Sequence, residues 1–253
     1  MEKITSIKNS KIKDWVKLRT THGRKKFGQY LLEGRHPVQE ALQAGIDYDY
    51  IVINEEYAEE DWLTDIDSDK LIVIDDAVTN HLSDTVHSQG IFLIGLIDQN
   101  QNTIPKDLDG KWLGLDNVQD PGNIGTMIRT ADAAGYAGVV LGAGTADIYN
   151  PKILRSMQGS QFHIQIVRTN LLDWIQESKV QHHETYGSLL DQDAIDYQDA
   201  VASDDFTVIV GNEGNGMTPE IAQATTKNLY IPIKGLAESL NVAIAAGVLM
   251  FTL

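Results

Sequence analysis

The chain has 253 residues, 42% of them apolar and 22% charged, with no cysteine and a formal net charge of −16. That length can bury one large core or two modest ones, and the composition excludes a disordered chain, a disulfide framework, a thiolate nucleophile and a cysteine zinc site. No run approaches the roughly 20 apolar residues of a membrane span, and MEKITSIKNSKIK lacks the apolar core of a signal peptide, so a cytoplasmic protein is expected. The charge is unevenly placed. Residues 1–35 hold ten of the twenty Lys and Arg against three acids, a net +7, which leaves −23 on the remaining 218 residues. A polyanion would be repelled by the acidic body and attracted by the basic end, although charge alone leaves a merely solvated basic face equally open.

In chain order, KIKDWVKLR places Ile12, Trp15, Val16 and Arg19 at helical spacing, THGRKKFG reads as a basic loop and QYLLEG as a short strand. PVQEALQA predicts a helix stopped by Gly45, YDYIVI and KLIVID predict strands, residues 76–82 a short helix, and GIFLIGLI a buried strand. This alternation argues a small α/β domain. The polar stretch DQNQNTIPKDLDG, residues 98–110, loses all periodicity, so domains are expected at 1–100 and 110–253 with a linker at 101–109. The second half alternates again: strand KWLGLDNV, helix IGTMIRTADAAG, strand GVVLG, a helix around NPKILRSMQGS, strand HIQIV, helix NLLDWIQES, strands ETYGSLL and FTVIVG, helix TPEIAQAT, strand LYIPI and a final helix from Ser239. Such repetition predicts a mostly parallel sheet covered on both faces. Ligands are then expected beyond the carboxyl ends of the strands, at the loops starting at Gly122, Gly142, Gly211 and Gly235.

Those loops can be tested against known phosphate cradles. PGNIGTMIRTADAAG offers Gly122 and Gly125, a GxxG and not the GxGxxG of a dinucleotide fingerprint, and VVLGAGTAD has no third glycine. VIVGNEGNGMTPE lacks the GK[ST] ending of a triphosphate loop, and Thr218 before Pro219 suits a helix N-cap. Asn123 suits either a cap for a helix beginning at Ile124 or a site residue. Gly125, in the first helical turn, costs about 1 kcal/mol relative to alanine, which predicts a close approach by another group. Arg129 follows four residues on, while Ile124, Ile128 and Ala131 form the apolar face. Glu213 lies between Gly211 and Gly214, where no turn requires a carboxylate. Ser239 reads as the N-cap of a helix apolar nearly all round, with Asn241 a polar guest in its first turn; such a helix must be buried against the body or a partner subunit.

Three blocks in order, DNVQDPGNIGTMIRTADAAG, VIVGNEGNGMTPE and IPIKGLAESLNVAIAAG, resemble the three motifs of the SpoU (TrmH-type) RNA ribose methyltransferases of the SPOUT class. The N-terminal ITSIKNSKIKDWVKLR and GRKKFGQYLLEGRHPVQEAL resemble the ribosomal-protein-like RNA-binding domain that many of them carry. The resemblance implies an α/β C-terminal domain with a trefoil knot, S-adenosylmethionine as cofactor, and a homodimer meeting at the knot. It implies methylation of a ribose 2′-hydroxyl, in ribosomal RNA ahead of transfer RNA because of the appended domain; the alternative is a non-catalytic RNA-binding or ribosome-assembly factor of the same fold. Carried over by motif position, Asn123, Arg129, Glu213, Ser239 and Asn241 form the catalytic set, and Gly211, Ile231 and Leu240 fall where the family contacts its cofactor. Lys11, Arg24, Lys25, Lys26 and Arg35 are the expected RNA contacts, and no metal is implied. One departure is Met157 in RSMQGS, where many members have serine. Arginine is an awkward base because it stays protonated far above neutral pH, so Arg129 is expected at least to position the hydroxyl or its neighbouring phosphate.

Overall fold

A computed structural model describes residues 1–98, 102–189 and 193–253. Residues 99–101, at the expected domain boundary, and Leu190, the last of the expected strand ETYGSLL, lie outside the described residues. Contacts divide the chain into two compact units, the first Met1–Asp98 with Asp147–Phe162, the second Gln99–Ala146 with His163–Leu253.

The first unit runs β1 (Glu2–Ile4), α1 (Ser10–Lys17), α2 (Thr21–Phe27), β2 (Gln29–Glu33), α3 (Arg35–Gln43), β3 (Tyr48–Asn54), β4 (Leu71–Ile74), α4 (Asp76–Leu82) and β5 (Ile91–Leu96). Its sheet has the order β1-β4-β3-β5-β2, parallel from β1 to β3 and antiparallel at β5. Ile12, Trp15, Ile72, Phe92 and Ile94 share one buried hydrophobic core. The expected basic loop THGRKKFG is instead the helix α2. Thr20 caps it, its hydroxyl accepting from Gly23 N at 3.1 Å, and Gly28 ends it at φ 65°. Gly23 disguised this helix in the sequence, yet it is what lets α2 form: a Cβ there would lie 2.0 Å from the Lys17 carbonyl oxygen at the end of α1.

The second unit begins with β6 (Lys111–Leu115), α5 (Pro121–Ala133) and β7 (Gly138–Leu141). The chain then gives the first unit a segment carrying α6 (Pro151–Met157) before returning as β8 (Gln165–Arg168). A boundary drawn at 110 does not anticipate this excursion. It is held within the first unit by α6 packing on β2, by the Tyr30 and Tyr149 rings 4.7 Å apart, and by the Arg24–Asp147 pair. Met157 is fully buried there. The second unit continues with α7 (Leu171–Val180), β9 (Glu184–Ser188), β10 (Ile195–Asp196), β11 (Phe206–Val210), α8 (Pro219–Ala224), β12 (Lys227–Tyr230) and α9 (Val242–Thr252). Its seven strands lie in the order β10-β12-β9-β11-β6-β7-β8, and every recorded pair is parallel. Buried on both faces, β7 and β11 read as near-continuous apolar runs, as parallel strands should. Trp112 and Trp174, ring centroids 4.9 Å apart, anchor the core. Among the described residues no helix is long and apolar enough to cross a membrane.

Candidate functional site

In the parallel sheet the strand order reverses beside β6: the chain steps outward through β7 and β8, whereas β6's other neighbour is β11. At such a switch point the loops leaving adjacent strands diverge and open a crevice at the carboxyl edge. The loops after β6 and β11 are joined at their roots. Asp116 N donates to the Val210 carbonyl at 2.9 Å, and the buried Asp116 carboxylate accepts from Thr218 N at 2.6 Å.

Glu213 projects from the β11 loop into a nest of donors. Its Oε1 accepts from Asp120 N at 3.0 Å and from Asn123 Nδ2 at 3.1 Å, and its Oε2 accepts from Gln119 N at 3.3 Å. Asn241 Nδ2 in turn donates to Asn123 Oδ1 at 3.0 Å, while Asn241 Oδ1 accepts from Ala243 N and Ile244 N. Since the Asn123 nitrogen faces a carboxylate, its oxygen must face the Asn241 nitrogen, so the network fixes the orientation of both amides. The N-terminal end of α5 thereby faces the carboxylate, the arrangement its dipole favours, and the N-cap of α9 is tied to it through Asn123. Partial burial pushes the Glu213 carboxyl up, but hydrogen bonds from Asn123 and from the backbone N–H groups of Glu213, Asp120 and Gln119 outweigh it and hold the group below the usual carboxylate range.

Two capping expectations are corrected by this geometry. α5 begins at Pro121, not at Ile124; Asp120 is its N-cap, accepting from Asn123 N, because proline tolerates N1 and frees Asn123 for Glu213. α9 begins at Val242 with Asn241, not Ser239, as N-cap. Gly125 therefore sits in the second turn of α5, where it is buried, while Arg129 is exposed and makes no hydrogen bond or ion pair among the described residues.

Beside this network a cavity of about 290 Å³ opens between the loops after β9, β11 and β12 and the start of α9. Gly211, Glu213, Ile231, Ser239 and Leu240, all singled out in the sequence, line it. Gly211 is required there because a Cβ would lie 2.1 Å from the Met217 nitrogen of the returning loop. The wall mixes apolar side chains such as Leu229, Ile233 and Val242 with the carboxylates Glu213 and Glu238, and among the described residues it contains no lysine or arginine. Its size is at the lower end for a small-molecule site, and its charge suits a cationic ligand with an apolar ring. Sulfonium-bearing S-adenosylmethionine fits that description. Of the residues that the sequence reading missed, Asn117, Gln119 and Asn212 act through backbone groups or contacts between loops, which no residue spacing reveals, and Glu238 lines the cavity.

The five expected RNA contacts, all in the first unit, divide. Lys25 and Lys26 are exposed on α2. Lys11 is half-buried, paired with Glu2 at 2.6 Å and stacked over the Tyr50 ring, and Arg35 pairs with Glu60. Arg24 is a correction: it is only 2% exposed, with Nε and Nη2 on Asp147 and Nη1 on the Leu18 carbonyl, so it serves the fold and not a surface. Groups of His, Asp and Glu able to hold a metal are absent among the described residues.

Residues 9–93 match the MRM3-like substrate binding domain. A 23S rRNA (guanosine(2553)-2′-O)-methyltransferase of Bacillus subtilis is 43% identical over 100% of this chain and 99% of its own. The AdoMet-bound rRNA methyltransferase of Sinorhizobium meliloti superposes with a TM-score of 0.88 at 29% identity, covering 99% of this chain and 96% of that one. An RNA 2′-O ribose methyltransferase structure gives a TM-score of 0.84 at 25% identity, with 99% and 97% covered. Residues 111–251 match the SpoU rRNA Methylase family, and the chain belongs to that family.

Proposed function

We propose that this protein is an S-adenosylmethionine-dependent methyltransferase that methylates a ribose 2′-hydroxyl of 23S ribosomal RNA, at the nucleotide equivalent to the guanosine named for the Bacillus subtilis relative. The observation that carries this reading is the hydrogen-bonded set Glu213–Asn123–Asn241 at the rim of a cavity whose charged lining residues, among those described, are the acidic Glu213 and Glu238. Residues 1–100 bind the RNA and residues 110–253 perform the chemistry. Lys25 and Lys26 lead the RNA contacts, with Lys11 and Arg35 beside them.

Gly211, Ile231 and Leu240 in the cavity wall would hold S-adenosylmethionine, which would supply a methyl group activated by its sulfonium. The protein's own task is alignment, because in-line displacement rewards correct placement of oxygen, methyl and sulfur. Glu213 and the two asparagines form a fixed polar floor. The exposed guanidinium of Arg129 orients the 2′-hydroxyl or its neighbouring phosphate with its planar fork, and Ser239 offers a hydroxyl at the cavity wall.

The polypeptide is knotted at its C-terminal end, acts as a homodimer and works in the cytoplasm. Dimerisation is supported by α9, which leaves Ile244 57% and Phe251 67% exposed on a helix with no charged residue. Phe251→Asp should convert the dimer to monomer in sedimentation, and an unchanged mass would remove α9 from the interface. Mapping 2′-O-methyl sites in 23S RNA from cells with and without the protein tests the main reading: loss of one site supports it, and an unaltered map overturns it.

A further inference from the structure

Asn212 lies between the two loops of the switch point and bonds to both. Its backbone pairs with Gly216 in both directions, at 2.8 and 2.9 Å, closing a small loop in which Gly216 adopts φ 69°. Its Oδ1 accepts from Gly214 N, Asn215 N and Asn215 Nδ2 at 3.0 to 3.3 Å, which shapes the turn that carries Glu213. Its Nδ2 points the other way and donates to the Asn117 carbonyl at 2.9 Å, reaching Glu213 Oε2 at the long distance of 3.5 Å. With three donors on the oxygen and a carbonyl on the nitrogen, only one amide orientation satisfies the site.

Asn117 is itself unusual, a non-glycine residue at φ 56°. Such a conformation persists only where the surroundings enforce it. It turns the chain so that Gln119 N and Asp120 N, two and three residues on, both aim at Glu213. One side chain therefore shapes the loop bearing the carboxylate with its oxygen and pins the loop bearing that carboxylate's donors with its nitrogen.

We propose that Asn212 is a positioning residue for methyl transfer: by spanning the two loops it sets the orientation of the Glu213 carboxylate, and through it Asn123 and Asn241. The proposal rests on the methyltransferase reading above. An aspartate is the informative replacement, since it keeps an acceptor for the turn but removes the donor to Asn117 and adds negative charge beside Glu213. The other charged groups of this region are Asp116, held on Thr218 N, Asp120, which caps α5, Glu238 in the cavity wall, and Arg129 on α5; Asn212→Asp leaves all four in place.

The test is steady-state kinetics with unmethylated 23S RNA transcript and labelled S-adenosylmethionine, for wild type, Asn212→Asp, Glu213→Gln and the double variant. Misplacing the carboxylate should lower kcat roughly 10- to 100-fold for Asn212→Asp, with the KM for S-adenosylmethionine within about threefold. The acid limb of the pH profile should move to higher pH, because a neighbouring negative charge disfavours ionisation of Glu213. In the Glu213→Gln background the same substitution should cost less than about twofold, since residues acting as one unit are not additive. A parental kcat, an unmoved acid limb, or a full multiplicative loss in the double variant would each overturn the proposal. Melting curves establish that the variants fold; if Asn212→Asp does not, Asn212→Ser, whose short hydroxyl cannot span both loops, is read for the same kcat loss and the same non-additivity. An inactive wild type would instead overturn the methyltransferase reading, so the two failures are distinguishable.

Discussion

Both units are α/β sheets with apolar cores, but they use polar side chains in opposite ways. In the first, all three arginines that made the N-terminal segment look like a binding surface have partners within the unit: Arg24 on Asp147 and the Leu18 carbonyl, Arg19 on the His81 and Ser83 carbonyls, Arg35 on Glu60. In the second, polar groups gather at the loop mouths and bond to one another, Asn212 to Asn117, Asn123 to Glu213, Asn241 to Asn123, while Arg129 stays exposed. Residue type is thus a poor guide to role. The same guanidinium holds a fold when buried with a carboxylate, as at Arg24, and is left exposed to solvent at Arg129.

The sharpest way to break this contrast is to exchange arginine for lysine at the exposed position. Arg129→Lys keeps the charge but not the planar fork, and kcat should fall by about 100-fold or more, some 2.7 kcal/mol of barrier, with cofactor affinity in calorimetry unchanged. Full turnover by this variant would return Arg129 to the ordinary solvated surface. The buried counterpart should respond in stability instead. Arg24→Ala strips Asp147 of its partner and should lower unfolding free energy by roughly 2 to 3 kcal/mol, less than for a wholly buried pair because Asp147 remains 33% exposed. If denaturant titration shows no loss while RNA affinity drops, Arg24 is a surface residue after all.

A smaller effect is expected on α2, where Lys25 and Lys26 are exposed. Lys25→Gln with Lys26→Gln should weaken RNA binding and reduce the slope of log affinity against log salt by roughly 1.5 to 2, while cofactor binding is untouched. An unaltered slope would mean that the basic face is only solvated. Smallest is a pH effect in the second unit's core. His183 is buried against Thr207, which also receives the Trp174 N–H, and burial holds its pKa below the ordinary histidine value. The folded state keeps this imidazole neutral, so its contribution is present above the unfolded pKa and lost as pH falls from about 6.5 toward the depressed folded value. His183→Gln should flatten that part of the stability profile, and a profile identical to wild type would assign the acid sensitivity elsewhere.

Much of the architecture was legible because apolar period and punctuation are local. The longer strands of the parallel sheet, the helix at residues 76–82 and the final apolar helix follow from runs and periods that each segment carries by itself. Helix α2 escaped because Gly23, a breaker by propensity, is required by its approach to α1, and propensity yields to a tertiary contact. β1 and β10, three and two residues long, carry no period and exist only through their parallel partners β4 and β12.

The site divides the same way. The motifs named Asn123, Arg129, Glu213, Ser239 and Asn241, and side-chain chemistry alone says that such groups can bind, orient and hold charge. Which of them cap a helix was misread at both α5 and α9, because Pro121 and Asn241 move each start by a few residues, and a cap is decided by which oxygen reaches which free N–H. That Asn212 ties Asn117 to the loop bearing Glu213, and that the excursion Asp147–Phe162 joins the first unit, involve groups 95 and more than 100 residues apart in the chain. The sequence determined the elements, the parallel sheet and the inventory of polar groups at its carboxyl edge, since these depend on neighbours a few residues away. The tertiary structure alone decided which arginine is buried, which amide faces which carboxylate and how the donors converge, because burial and hydrogen-bond direction are properties of segments brought together only when the chain has folded.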